Sequence, residues 1–281
     1  MVEQFFLFKQ KFIVHLILRN LFCMHNKNPI GIFDSGIGGT SIWSAIHYLL
    51  PNEKTIYLAD SKNAPYGQKS KEEIIALCFK NTELLLKMDC KLIVVACNTA
   101  TTNAIQELRS KYTIPFIGIE PAIKPAATHS KTQTIGILAT LGTLNSELFN
   151  KTAEKFQETK IIEQVGHGLV ELIENGEINS PKMTELLRSY LQPMIDNNID
   201  YLVLGCSHYP YLIPQIKKIL PDSIQIIDSG EAVAKQTQNI LSEKVGFSDG
   251  IAPKPVFYTN TNSKVLFEIL EKKFGVIEKD F

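Results

Sequence analysis

The chain has 281 residues, 44% apolar and 21% charged, enough for a substantial core in one large domain or two ordinary ones. Its 29 basic and 29 acidic side chains cancel, which leaves no electrostatic footprint for nucleic acid or an anionic membrane. Five cysteines, with no C-x-x-C pair among them, argue against a disulfide framework or a zinc knuckle and for reduced thiols in the cytoplasm.

Residues 12–23 are apolar but contain His15 and Arg19, and the run is far too short to cross a membrane. Lys9 and Lys11 precede it as in a signal peptide, yet no clear small-residue cleavage site follows. We read Met24 as the natural start and residues 1–27 as a dispensable extension, because the first core-like strand begins at Ile30.

From there the pattern is strand, turn, helix, repeated. Strands are predicted at 30–33, 55–58, 92–96, 115–119, 134–138, 160–163, 201–204, 224–227 and 256–258. Amphipathic stretches of helical length, such as 71–88 and 182–197, lie between them. Alternation of this kind implies βαβ units and mainly parallel sheets. Strands covered on both faces explain runs as continuous as Leu92–Ala96. Cys78 and Cys90 fall on or beside the 71–88 stretch and read as packing residues.

The chain also repeats itself. Ile30-Gly31-Ile32 recurs as Ile135-Gly136-Ile137, and Lys54-Thr55-Ile56 as Lys160-Ile161-Ile162. LIVVACN (92–98) recurs as LVLGCS (202–207), and IGIE (117–120) as IID (226–228). Four strand–turn units in the same order at a nearly constant offset imply an α/β fold of two pseudo-symmetric domains. Each has a mainly parallel sheet flanked by helices. The first would comprise 28–120 plus 229–281, the second 121–228. Ligands of open parallel sheets sit beyond the carboxyl ends of the strands, so two facing sheets enclose one interdomain cleft.

The informative polar clusters fall at those ends. Asp34-Ser35-Gly36-Ile37-Gly38-Gly39 follows the first strand. Its glycines let backbone N–H groups approach an anion, or else form a tight turn capped by Asp34. The run is neither a dinucleotide fingerprint nor a P-loop. Ala59–Gly67 follows the second strand and is a loop in any reading, with Tyr66 and backbone amides available to line a pocket.

Cys97 and Cys206 end the third strand and its counterpart, each just before a predicted helix whose N-terminus favours thiolate. Asp34 and His208 are the bases within reach. A single such cysteine is most simply a buried structural residue, but two at repeat-equivalent positions are not. Inverting an α-carbon needs a proton removed from one face and another delivered to the opposite face. Two matched acid/base groups on opposite walls of a symmetric cleft supply this without moving.

The segments DSGIGG (34–39), ADSKNAPYG (59–67), VACNTAT (95–101), IGIEPA (117–122) and LGCSHYPYL (204–212) closely resemble bacterial glutamate racemases. The resemblance runs from about Asn28 to the C-terminus. It implies interconversion of L- and D-glutamate for peptidoglycan in the cytoplasm, without pyridoxal phosphate or metal, and allows a homodimer. It also implies that Cys97 and Cys206 are catalytic, with Asp34 near Cys97 and His208 near Cys206. Asp34-Ser35, Tyr66-Gly67, Asn98-Thr99 and Ser207-His208 match substrate-binding pairs. Glu174 matches a further acidic residue of the family, although Val165–Gly168 before it departs from the usual pattern. Ser207 stands where many relatives have threonine and keeps the hydroxyl.

The alternatives are an aspartate or other acidic amino-acid racemase, a thiol hydrolase using Cys206 with His208, and a non-catalytic binding module. One methylene separates glutamate from aspartate and is worth only about 1–3 kcal/mol. A hydrolase would leave Cys97 idle, and a binding module would leave both thiols unexplained.

Overall fold

The computed structural model describes residues 27–250 and 254–281. The apolar run near the N-terminus and the reading of Met24 as the start lie outside the described residues.

All nine predicted strands are present: β1 (Ile30–Asp34), β2 (Thr55–Ala59), β3 (Leu92–Val95), β4 (Phe116–Gly118), β5 (Thr134–Ala139), β6 (Lys160–Val165), β7 (Tyr201–Gly205), β8 (Gln225–Ile227) and β9 (Val256–Thr259). A further strand, β10 (Val276–Glu278), was not anticipated. It is three residues long and largely exposed, so no apolar pattern announces it; only its parallel pairing with β9 defines it. Every ladder among the described residues is parallel.

The strands form two sheets, ordered β10-β9-β2-β1-β3-β4 and β6-β5-β7-β8. Without β9 and β10 the first order is the same as the second, strand for strand. The sequence repeat is thus a repeat of strand pairing. β1 is buried throughout, and so are β2 and β3, as strands covered on both faces must be.

The flanking helices include α1 (Thr40–Leu49), α2 (Lys71–Lys87), α3 (Asn98–Lys111), α4 (Leu169–Glu174), α5 (Pro181–Asp196) and α6 (Gly230–Ile240). Helix α2 opens with a reciprocal capping box between Ser70 and Glu73, which satisfies two otherwise orphaned N–H groups. Cys78 and Cys90 are buried free thiols in the core under the first sheet, as expected of packing residues. No described helix is long and apolar enough to cross a membrane.

After the second sheet the chain returns to the first. Helix α6 packs on α1. Trp43 of α1 meets Phe257 of β9 edge-on at 4.7 Å between ring centroids and donates to Thr55 Oγ1 of β2 at 3.0 Å. A second fastening is ionic. Lys91 Nζ lies 2.8 Å from Glu53 Oε2, both side chains being almost wholly buried. Glu53 also accepts from Ser248 N at 2.7 Å and from Ser248 Oγ at 2.8 Å, and so ties the segment after α6 to the first sheet. Removing one member of a buried pair strands the other's charge. Lys91→Met is therefore expected to cost about 3–5 kcal/mol of stability, read from urea denaturation. A loss below about 1 kcal/mol would show that the pair does not clamp this segment.

Candidate active site

The carboxyl ends of the two sheets converge, and the side chains that meet there come from both. Asp34 ends β1 and is fully buried. Its Oδ2 accepts from the N–H groups of Gly36 and Gly39, each at 3.1 Å, and its Oδ1 accepts from Ser207 Oγ at 3.0 Å. The cap of α1 is Gly39 rather than Asp34, so Asp34 braces the turn and reaches across to the other sheet. Burial pushes its carboxyl pKa up. The charge of His208 and the Gly39 N–H pull it down, and the net shift is upward.

Cys97 is the N-cap of α3, and its Sγ accepts from Ala100 N at 3.4 Å. The sulfur's other contact is Ser35 Oγ at 3.5 Å. Burial, and next the charge of Asp34, hold this thiol well above its ordinary pKa; the bonds from Ala100 and Ser35 oppose that only in part. Charge on Cys206 also raises it. Cys97 therefore rests as the proton-bearing thiol.

Cys206 follows β7, but no α-helix begins directly behind it. The segment runs into a 3₁₀ turn at Tyr209–Leu212 and a four-residue helix at Ile213–Ile216. Pro210 and Pro214 remove N–H donors from this stretch, which is why it does not continue as a long helix. The expectation of helix-dipole support holds for Cys97 and fails for Cys206.

Histidine takes that place. His208 Nδ1 lies 3.8 Å from Cys206 Sγ, and Nε2 lies 2.6 Å from Glu174 Oε1. Burial alone would lower the imidazole pKa. Its hydrogen bonds and charge interactions with Cys206 and Glu174 outweigh that and leave it well above 6.5. A ring so shifted favours its protonated form, in which Nε2 donates to Glu174; Gly38 N also lies 3.2 Å from that nitrogen.

The glycine-rich turn belongs to this arrangement. A Cβ on Gly38 would stand 2.2 Å from the His208 ring, and one on Gly36 would stand 1.9 Å from Glu174. The turn does present an N–H to an anion, as its composition suggested. That anion is the protein's own Glu174, which accepts from Ile37 N at 2.7 Å and from Ser61 Oγ at 2.9 Å.

The remaining expected positions gather nearby. Asn98 is buried, and neither its Nδ2 nor its Oδ1 has a partner among the described residues. Thr99 Oγ1 lies 2.8 Å from Thr140 Oγ1 and 3.3 Å from Thr143 Oγ1. Tyr66 is buried, and a Cβ on the adjacent Gly67 would meet Thr140 at 2.9 Å. Sequence reading missed Thr140, Thr143 and Ser61. Thr140 was findable, because it follows β5 where Ser35 follows β1, at the same offset of 105 residues as the repeat. Among the described residues, no group of three or more His, Cys, Asp and Glu side chains is placed to hold a metal ion.

Residues 38–237 match the model of the Asp/Glu/hydantoin racemase family. The chain belongs to this family. A curated glutamate racemase of Ralstonia pickettii is 47% identical over 82% of this chain and 82% of its own length. One from Pseudomonas entomophila is 42% identical over 86% and 92%. Among solved structures, a glutamate racemase isoform of Bacillus anthracis superposes with a TM-score of 0.82 at 32% identity, covering 91% of this chain and 98% of that one. The Escherichia coli glutamate racemase, solved with L-glutamate, gives 0.81 at 31% identity over 90% and 98%. An aspartate racemase of Picrophilus torridus, at 18% identity and a TM-score of 0.54, shares the family's fold.

Proposed function

We propose that this chain is a glutamate racemase that works by two-thiol proton exchange at Cα and supplies D-glutamate for peptidoglycan. The observation that carries the mechanism is the pair of coupled thiols, Cys97 and Cys206, at matching ends of β3 and β7. The glutamate specificity rests on relatives at 41–47% identity that are named glutamate racemases. The corresponding domains are residues 28–120 with 229–281, and residues 121–228.

In the L-to-D direction the Cys206 sulfur takes the α-proton. The C–H electron pair remains on the substrate as a carbanion delocalised into its carboxylate. Cys97, resting protonated, then delivers its proton to the opposite face. The reverse reaction exchanges the roles. His208 faces the Cys206 sulfur through Nδ1, and Glu174 holds that ring in place through Nε2. Asp34, its carboxyl raised by burial, serves as the acid/base partner on the Cys97 side.

Asn98 supports a polar substrate. Two buried amide atoms without partners cost about 1–3 kcal/mol each unless a ligand satisfies them. With Thr99, Ser35, Ser207 and the Tyr66-Gly67 loop they offer the donors and acceptors that an amino group and carboxylates require.

Purified protein given L-glutamate without added cofactor should lose ellipticity to zero as the racemate forms. In heavy water, deuterium should enter mainly the product enantiomer at early times, because the delivering thiol has exchanged with solvent. Equal labelling of both enantiomers from the start would indicate a single base. Stable ellipticity with L-glutamate, together with inversion of L-aspartate, would overturn the substrate assignment.

A further inference from the structure

One buried carboxylate takes no part in this mechanism. Asp60 follows β2, is fully buried, and is surrounded by neutral donors. Its Oδ2 accepts from Tyr66 O–H at 2.5 Å and from Asn81 Nδ2 at 3.4 Å. Its Oδ1 accepts from Asn63 Nδ2 at 2.8 Å and from Asn260 Nδ2 at 2.5 Å. Asn81 Nδ2 also reaches the Tyr66 hydroxyl at 3.2 Å.

The four donors come from different parts of the fold. Asn63 and Tyr66 belong to the loop after β2, Asn81 to α2, and Asn260 to the turn after β9. Asn260 Oδ1 in addition accepts from Lys62 N at 2.8 Å, so the same asparagine holds the loop by its backbone. Isolated burial of a carboxylate is expensive, and this one is tolerated because its lone pairs are taken by four donors. Burial would cost less with an apolar residue at this position, so stability alone does not account for it.

The loop so held carries Tyr66 and Gly67 to the facing sheet. The Tyr66 phenol points back to Asp60, while Gly67 packs so closely on Thr140 and Gly142 that neither glycine tolerates a side chain. The position of the Gly67 backbone against the Thr99–Thr140–Thr143 hydroxyls therefore depends on where the Tyr66 ring is pinned.

We infer that Asp60 is a positioning residue for substrate binding, acting through Tyr66 to fix the Tyr66-Gly67 backbone at the mouth of the site. This rests on the racemase reading and on Tyr66-Gly67 as a substrate-binding pair. It assigns Asp60 an effect on capture of glutamate rather than on proton transfer, since its carboxylate is hydrogen-bonded to Asn63, Tyr66, Asn81 and Asn260 and to neither catalytic thiol, His208 nor Glu174.

The test is the KM-against-kcat split in Asp60→Asn. An amide keeps one acceptor oxygen and puts N–H groups where the second oxygen accepted, so the bonds made to that oxygen must be given up or reversed. We expect KM for glutamate to rise at least tenfold in both directions with kcat within threefold of wild type. Adding Asn260→Asp returns a carboxylate to the cluster and should bring KM back to within threefold. Tyr66→Phe, which keeps the ring and removes only the pinning hydroxyl, should raise KM as well, and it serves if Asp60→Asn does not fold. Unchanged KM in a folded Asp60→Asn or Tyr66→Phe protein, or a loss confined to kcat, overturns the inference. So does a lowered melting temperature with normal kinetics. Failure of the wild-type chain to racemise glutamate would instead count against the racemase reading.

Discussion

Cys97→Ser and Cys206→Ser should each reduce racemisation by about 10²- to 10⁴-fold, the range set by removing a positioned general acid/base. An alcohol is a much weaker acid than a thiol. A serine can therefore neither hold a negative charge at neutral pH nor be regenerated as a base after giving up its proton. Both positions should lose turnover in both directions, because each cycle uses one sulfur to remove a proton and the other to replace it. The fold should survive. The two sulfurs are buried at the strand ends, and oxygen for sulfur is a small change in volume. Circular dichroism and thermal melting establish that the variants are folded, and polarimetry from each enantiomer measures the loss. A folded serine variant with near-normal turnover in either direction would sink the two-thiol mechanism. Retained turnover in Cys97→Ser alone would return attention to Cys206 and His208 as a one-thiol site.

The second large effect is expected at Glu174→Gln, and it depends on pH. Removing this carboxylate takes away the charged partner 2.6 Å from His208 Nε2. A hydrogen bond to a charged group is worth about 1.5–3 kcal/mol, so a loss of roughly 10- to 100-fold in kcat/KM follows at neutral pH. The sign of the pH dependence follows from the raised imidazole pKa. Folded His208 holds its proton more tightly than the unfolded chain does, so protonation stabilises the fold. That contribution is complete below about 6.5 and disappears as pH rises through the higher folded value. In Glu174→Gln the folded pKa drops. The alkaline limb of the rate profile should then move to lower pH, and the stability advantage near neutrality should shrink. A variant whose rate profile superposes on that of wild type would show that Glu174 does not set the charge of His208. Its contacts with Ile37 N and Ser61 Oγ would then account for its place in the site.

The fold was legible to the extent that it is periodic. Apolar runs of strand length, spaced by amphipathic stretches, identified nine strands and the α/β class. β10 escaped because three partly exposed residues carry no pattern and owe their state to the neighbour they pair with. The candidate site was legible through the repeat. Nearly constant offsets turned two unremarkable cysteines into a pair, and the offset of 105 between the first strands of the two halves points to Thr140 when applied to the residue after Asp34.

The glycine-rich turn shows where that legibility stops. Composition identified a loop whose N–H groups can meet an anion; two of them turn back to Asp34, but Ile37 N meets Glu174, 137 positions away in the chain. The helix expected behind Cys206 fails for a related reason. Local propensity favoured a helix start, whereas the prolines and the packing of His208 on Gly38 decide what forms.

By itself, then, the sequence determined the strands, the doubled architecture and the two thiols, because periodicity, turn residues and repeat spacing are properties of neighbours along the chain. Only the tertiary structure decided that Glu174 partners His208, that the buried Asn98 amide has no partner among the described residues, and that Asp60 gathers four donors from three segments. Those outcomes depend on distances between residues remote in sequence. Burial, which raises the proton affinities of Asp34 and Cys97, exists only once the two sheets face each other, and so do the contacts with Cys206 and Glu174 that raise that of His208.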